Sequence, residues 1–316
     1  MVAEAPAIRS ARLGRLGRAR LQVGRAGAFV ALTKPRIIEL LLVTTVPTMV
    51  VAQRGWPPMG LIVATLVGGT LAAGGANAMN MFIDRDIDRV MHRTRNRPLV
   101  TGTVTPREAI TFACALEVVA FVELWTAVNL LSAVLAISAT AFYVLIYTIW
   151  LKRRSSQNIV IGGAAGAVPV LVGWAAVTGT LSWAPVVLFA LIFLWTPPHF
   201  WALAVRYRDD YQTAGVPMLP VVATPERSAR QIFGYTVLLV GCSFLFAHVA
   251  HMGPLYVSVA ALLGAIYLLM AARLWRLATT GKGIEAGSMR LFSYSITYLT
   301  LLFGCMVGDV FVQRLH

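Results

Sequence analysis

A chain of 316 residues that is 58% hydrophobic and only 13% charged is too apolar for an ordinary soluble domain. Its net charge of +14 would suit nucleic acid in a polar protein. Here the basic residues fall between long apolar runs in a pattern that reads as membrane topology, so no nucleic-acid partner is expected.

Residues 1–33 are rich in Arg, Ala and Gly, with Arg9, Arg12, Arg15 and Arg18 at every third position and no apolar core of a cleaved signal peptide. They are expected to form a basic cytoplasmic tail lying on anionic lipid, an organellar transit peptide being the other reading. Residues 34–316 then form the transmembrane domain. Nine apolar runs follow, at about 37–54, 59–82, 107–128, 129–150, 158–178, 183–205, 231–250, 254–277 and 291–312. Each approaches the roughly 20 residues a membrane helix needs, and none alternates as a barrel strand would. The expected fold is an all-α polytopic membrane protein with nine transmembrane helices. If each run crosses, 25 of the 27 basic residues share one side, leaving Arg54 and Arg314 opposite. This puts the N-terminus in the cytoplasm and the C-terminus outside a cell membrane. Cys114, Cys242 and Cys305 sit inside predicted helices with no metal-ligand spacing and read as small buried hydrophobes.

Thr33-Lys34-Pro35-Arg36 leads into the first span, Pro35 suiting a helix start and Glu39 the positive end of the helix dipole. At the end of the second span, Asn80, Asp84 and Asp88 fall at i, i+4 and i+8, on one helix face. Ionised carboxylates stacked there repel each other unless something positive lies between them. Mg²⁺ bearing a diphosphate fits, since Mg²⁺ takes one or two carboxylates, waters and phosphate oxygens. The simpler alternative is a helix end laced with salt bridges. Five arginines between positions 85 and 97 come next, satisfying the topology rule and able to neutralise phosphate oxygens.

The fourth span ends in Tyr143, Tyr147, Trp150, Lys152, Arg153 and Arg154, an interfacial belt from which Lys152 and Arg153 could reach a diphosphate held by the acids. Asn158 opens the fifth span at a similar depth. In the sixth, Pro197 and Pro198 deny the helix two amide donors and are expected to kink or break it, with His199 beside them. Arg206-Tyr207-Arg208-Asp209-Asp210-Tyr211 closes that span on the same side of the membrane as Asp84 and Asp88. Two acidic clusters on one rim could hold a pair of Mg²⁺ ions, or be interfacial acids paired with arginines. His248, His251 and His316 lie near the opposite face with no metal-ligand spacing.

Asn80-x-x-x-Asp84-x-x-x-Asp88 resembles the first aspartate-rich motif of the UbiA superfamily of intramembrane prenyltransferases. Thr33-Lys34-Pro35-Arg36, Arg93-Thr94-x-x-Arg97-Pro98-Leu99, Lys152-Arg153 with Asn158, and Pro198-His199-Phe200-Trp201 through Pro220 are similar to its heme-modifying branch. The resemblance spans residues 33–220 and implies a nine-helix bundle with its active site facing the cytoplasm. It implies farnesyl transfer from farnesyl diphosphate to a vinyl group of heme B, giving heme O, the precursor of heme A. Asn80, Asp84, Asp88, Asp209 and Asp210 would be catalytic, with the four aspartates holding Mg²⁺. Arg93, Arg97, Tyr147, Lys152, Arg153, Asn158, His199, Tyr207, Arg208 and Tyr211 would bind substrate, and a heme A synthase would be the partner taking the product. One departure concerns the second motif, whose usual aspartate ends are Tyr207 and Tyr211 here, with Asp209 and Asp210 between them. Prenylation of a quinone precursor, or transport with the acids as ion sites, are the competing functions.

Overall fold

The computed structural model describes residues 24–281 and 283–315, without the side chains of 36–42. Most of the expected tail, Lys282, His316 and the side chains of Arg36 and Glu39 therefore lie outside what is described. The rest is helical. Helices α1 (Arg25–Thr33), α2 (Pro35–Gln53), α3 (Met59–Ile83), α4 (Arg85–Val90), α5 (Pro98–Thr101) and α6 (Pro106–Ala127) lead to α7 (Leu130–Ala141). Helix α7 continues into a π-helical segment, Phe142–Leu151. Then follow α8 (Asn158–Thr178), α9 (Trp183–Arg206), α10 (Arg208–Thr213), α11 (Leu219–Val222), α12 (Pro225–Val249), α13 (Pro254–Thr280) and α14 (Ile284–Gln313).

Eight helices are long and apolar enough to cross a membrane among the described residues. The first of the nine expected runs corresponds to α2, whose described part includes the apolar stretch Val43–Gln53. Two spans start earlier than their apolar runs. Thr224 accepts from the Arg227 amide at 3.2 Å and Pro225 opens α12, while α14 starts at Ile284. Thr105 and Glu108 form a reciprocal capping box that starts α6.

Consecutive spans pack side by side into a ring: α3 on α6, α7 on α8, α8 on α9, α9 on α12, α12 on α13 and α13 on α14, with α14 closing the circuit against α2 and α9. The largest buried cluster runs through α8, α9, α12, α13 and α14, around Trp201, Phe246, Tyr256, Tyr267, Tyr298 and Phe303. On the other side α3 and α6 approach closely, because a Cβ on Gly75 would stand 2.5 Å from Glu117 Oε1.

Two expectations are corrected. Residues 25–33, expected within the basic tail lying on lipid, instead form α1, which docks through Ala28 and Leu32 into a cluster with Ala78, Met81, Leu99 and Ala113, a gain of apolar burial that the count of arginines conceals. Pro197 and Pro198 do not interrupt α9, which runs from Trp183 to Arg206 through both. Within the helix the Thr196 hydroxyl donates to Ile192 O at 2.9 Å, and α14 holds the stretch where Trp195 Nε1 donates to Ser295 O at 2.8 Å.

Candidate active site

The α3 helix ends at Ile83 and α4 starts at Arg85, yet the backbone bonds Asp84 N–Asn80 O and Asp88 N–Asp84 O, both 2.9 Å, carry the i to i+4 ladder across the junction. Asn80, Asp84 and Asp88 therefore keep one face, and all three are buried. Every one of them meets a cation. Lys34 Nζ donates to Asn80 Oδ1 at 2.8 Å. Asn80 Nδ2 donates to Asp84 Oδ2 at 2.7 Å and to Thr148 Oγ1 at 3.0 Å. The Lys152 ammonium donates to Asp84 Oδ2, with Arg153 3.9 Å from Oδ1. Arg97 Nη1 donates to both Asp88 oxygens, at 2.7 and 2.6 Å.

The elements that deliver these cations are unusual locally. Lys34 joins α1 to α2 at φ 53° and ψ 63°, a left-handed conformation uncommon for a residue with a side chain. Strain of this kind concentrates at functional sites. Burial, then the neighbouring Arg97 and Lys152, lowers the Lys34 ammonium from 10.5 to about 7. Lys152 follows the π-helical segment, and its amide donates to Tyr147 O at 2.8 Å, closing an i to i+5 ring. The same winding stacks Tyr143 on Tyr147, centroids 5.4 Å apart, and lets Thr148 donate to Tyr143 O at 2.9 Å.

Among the described residues, two buried acceptors of this cluster have no hydrogen-bond donor: Asp84 Oδ1 and Asn158 Oδ1. An unsatisfied oxygen on a fully buried carboxylate costs free energy unless a ligand completes it. Asn158, also fully buried, donates through Nδ2 to Lys152 O at 3.3 Å, so its free oxygen lies beside the ammonium-bearing turn. Arg153 also donates twice to Asp86 at 2.7 Å, which lowers that carboxyl from 3.8 to about 2. An open cleft of about 410 Å³ lined by Ile83, Arg85, Asp86, Arg89 and Arg153 runs along this outer side of α4.

The second acidic segment reaches the first, but through other atoms than expected. Asp210 accepts the backbone amides of His92 at 3.3 Å and Arg93 at 3.2 Å. Tyr211 packs with Ile87, Met91 and Ile159, with Tyr147 and Tyr207 against them, and Arg93 lies 5.3 Å over the Tyr207 ring. Asp209 is exposed and has no hydrogen bond or ion pair among the described residues. Nor do three His, Cys, Asp or Glu side chains converge to hold a metal ion among them. The four-aspartate cluster expected from the sequence is therefore not assembled here: Asp84 and Asp88 are together, Asp210 anchors a loop, and Asp209 faces outward.

Two further candidates lie elsewhere. His199 is buried between Trp195, stacked at 4.2 Å, and Phe292, stacked at 4.6 Å, with Nδ1 2.7 Å from Ser295 Oγ. Arg208, expected on the acidic rim, instead lines a separate cavity with Ser228 and Glu285. Conversely Lys34 and Thr148 join the cluster although neither stood among the expected site residues. Lys34 had a signal in the Thr33-Lys34-Pro35-Arg36 segment; Thr148 had none.

The arrangement is suited to an anionic, metal-bound ligand: two buried carboxylates, two unsatisfied oxygens, and three cations able to turn from protein acceptors to those of a ligand. Comparison with known proteins agrees with the geometry. The model of the UbiA prenyltransferase family matches residues 41–296. A relative from Frankia alni, named protoheme IX farnesyltransferase, is 56% identical over 276 residues, covering 87% of this chain and 95% of the relative. Among solved structures, one of digeranylgeranylglyceryl phosphate synthase superposes with a TM-score of 0.74 at 16% identity, covering 90% of this chain and 98% of that one. A UbiA homolog from Archaeoglobus fulgidus, bound to GPP and Mg²⁺, does so with a TM-score of 0.57 at 16% identity, covering 88% and 99%. At such identities the structural likeness establishes the shared fold.

Proposed function

The chain belongs to the UbiA prenyltransferase family, and on that footing we propose that it transfers a farnesyl group from farnesyl diphosphate to a vinyl group of heme B, giving heme O. The observation that carries this reading is the buried Asn80, Asp84 and Asp88 face with its three attendant cations, in a chain whose relatives at more than half identity are named for that reaction.

Asp84 and Asp88 would hold a divalent cation, Asp84 through Oδ1, which accepts no hydrogen bond. Bound there, the metal would neutralise phosphate charge and ease departure of the diphosphate. Lys34, Lys152 and Arg97 exchange Asn80, Asp84 and Asp88 for phosphate oxygens, and so stabilise the charge that grows on the leaving group as the carbon–oxygen bond breaks. The stacked Tyr143 and Tyr147 rings and the apolar packing around Tyr211 keep water from the allylic carbon and present π faces to its developing positive charge. Asp210 takes the backbone amides of His92 and Arg93, and thereby fixes the loop that carries Arg93 and Arg97. The vinyl carbon then bonds to the allylic carbon as diphosphate departs, and water adds to the resulting cation next to the ring, giving up one proton to the released diphosphate or to solvent.

The heme end of the site is assigned to His199. The Ser295 hydroxyl lies 2.6 Å from Phe292 O, to which it donates, so we assign the proton of the 2.7 Å contact with Ser295 to His199 Nδ1. Its Nε2 then keeps a lone pair for iron, the arrangement by which metal-binding histidines are oriented. The multi-pass chain is placed in the cell membrane with this rim and the N-terminus cytoplasmic, from the sidedness of its lysines and arginines. A heme A synthase is the expected recipient of the product.

Purified protein supplied with heme B, farnesyl diphosphate and Mg²⁺ should form heme O, and Asp84→Asn should lower the rate by at least about a hundredfold, the scale of losing a group that stabilises charge in a transition state. Turnover that persists in excess chelator, or prenylation of hydroxybenzoate with heme inert, would reject the reading.

A further inference from the structure

A cavity of about 210 Å³ opens where the ends of α9, α12, α13 and α14 meet. Val205, Pro220, Ala229, Ile232, Leu274 and Ile284 give it an apolar wall. Three polar side chains face it: Arg208, Glu285 and Ser228. None of their side chains has a hydrogen-bond or ion-pair partner among the described residues. Ser228 is 2% exposed, and its hydroxyl has no hydrogen-bond partner. The Arg208 guanidinium and the Glu285 carboxylate make no ion pair, with each other or with any described residue. A cation and an anion on one apolar cavity, neither paired among the described residues, with a buried hydroxyl between helix ends, form an incomplete polar set.

The size of the cavity limits what completes it. Pockets that enclose drug-sized molecules run from roughly 300 to 1,000 Å³, so a porphyrin or a whole farnesyl chain is too large. The charges narrow the choice further. Arg208 suits a phosphodiester, which its planar fork can meet with two bonds. Glu285 repels a purely anionic head and attracts an ammonium. A quaternary ammonium is recognised by aromatic faces, and no aromatic side chain lines this cavity. A primary ammonium, which donates hydrogen bonds to a carboxylate, fits better.

We propose that this cavity is a phospholipid site selective for a head that joins a phosphodiester to a primary ammonium, as in phosphatidylethanolamine. Arg208 takes the phosphate, Glu285 the ammonium, Ser228 donates to an oxygen of the glycerol esters, and the apolar wall receives the first part of an acyl chain.

The test uses the full chain in detergent, with phosphatidylethanolamine, phosphatidylcholine and phosphatidylglycerol of the same acyl chains added in turn and the bound lipid counted by native mass spectrometry. The ethanolamine lipid should be retained roughly threefold over the other two, the scale of one exposed charge pair. Glu285→Gln should remove its advantage over phosphatidylglycerol, and Arg208→Gln should lower retention of all three. Soluble phosphoethanolamine, without chains, should compete poorly. Equal retention of the three lipids by the unaltered protein would overturn the proposal, as would a Glu285→Gln variant with unchanged selectivity or full competition by soluble phosphoethanolamine. Both substituted residues are exposed at the rim, so neither change removes a core contact.

Discussion

Arg97 turns back nine positions along the chain to place one guanidinium nitrogen on both oxygens of Asp88, at 2.7 and 2.6 Å. The Asp88 side chain is 3% exposed and that of Arg97 22%, so the pair is largely shielded from solvent. Removing one partner of such a pair leaves an uncompensated charge and costs on the order of 3 kcal/mol. Arg97→Met should therefore lower the thermal midpoint of the ligand-free protein in detergent, and Arg97→Met with Asp88→Asn should recover much of it. Neither variant should turn over farnesyl diphosphate at more than a trace. A single variant as stable as the unaltered chain would show that the pair is not energetically coupled.

A divalent cation bound at Asp84, as proposed, would have to compete with Lys152, whose ammonium donates to Oδ2. Lys152→Met should bind Mn²⁺ more tightly than the unaltered protein when no diphosphate is present, by about tenfold if the ammonium's hold on Asp84 is near 1.4 kcal/mol. The same variant should bind inorganic pyrophosphate more weakly. Electron paramagnetic resonance of free Mn²⁺ reads the first quantity and calorimetry the second; weaker Mn²⁺ binding in the variant would contradict the competition.

The Lys34 ammonium is held down to about 7, mainly by burial. Above that pH the empty site carries one positive charge less, so affinity for pyrophosphate should fall as pH rises through 7. Lys34→Gly relaxes the left-handed backbone but removes the ammonium, and should abolish this pH dependence while raising the KM for farnesyl diphosphate. Lys34→Arg should retain part of the affinity and shift the dependence upward. An unaltered profile in Lys34→Gly would remove Lys34 from the site.

Asp86 titrates at about 2 instead of 3.8, chiefly because Arg153 donates to it. A carboxyl depressed on folding contributes stability that is complete above its unfolded value and is lost as pH falls through the folded one. Thermal midpoints should therefore decline between about pH 4 and 2 less steeply in Asp86→Asn than in the unaltered protein, since the other carboxyls titrate equally in both. Parallel declines would mean that the Arg153 contact does not persist in solution.

His199 and Ser295 yield a spectroscopic prediction. If Nε2 ligates heme iron, His199→Ala should shift the Soret band of added heme B, and Ser295→Ala should weaken heme binding with a smaller shift. No change in either variant would leave His199 as a packing residue.

The Asn80, Asp84 and Asp88 face was legible because a helical period of four survives the junction after Ile83. The segment 206–211 was not readable in the same way. Adjacent residues on a one-turn helix point about 100° apart, so the chain alone could not say that Asp210 caps a loop while Asp209 and Arg208 face elsewhere. Lys34 enters through a left-handed joint that no propensity announces, and the orientation of His199 is set by a serine 96 positions away. The ring of spans was legible as apolar runs. Helix α1 was obscured because its nine residues bury only Ala28 and Leu32 fully.

The wide winding of Phe142–Leu151 has a consequence for how this site arose and how it can be lost. A π-helical turn is in effect an α-helix with one residue too many, retained. Deleting a single residue there would restore ordinary winding and turn everything after it by about 100°. Lys152 would swing off Asp84 and the tyrosine pair would part, with no acidic residue altered. The proposed catalytic rim thus depends on a counting error kept in register, and homologues that differ by one residue in this stretch should differ in the chemistry they can support.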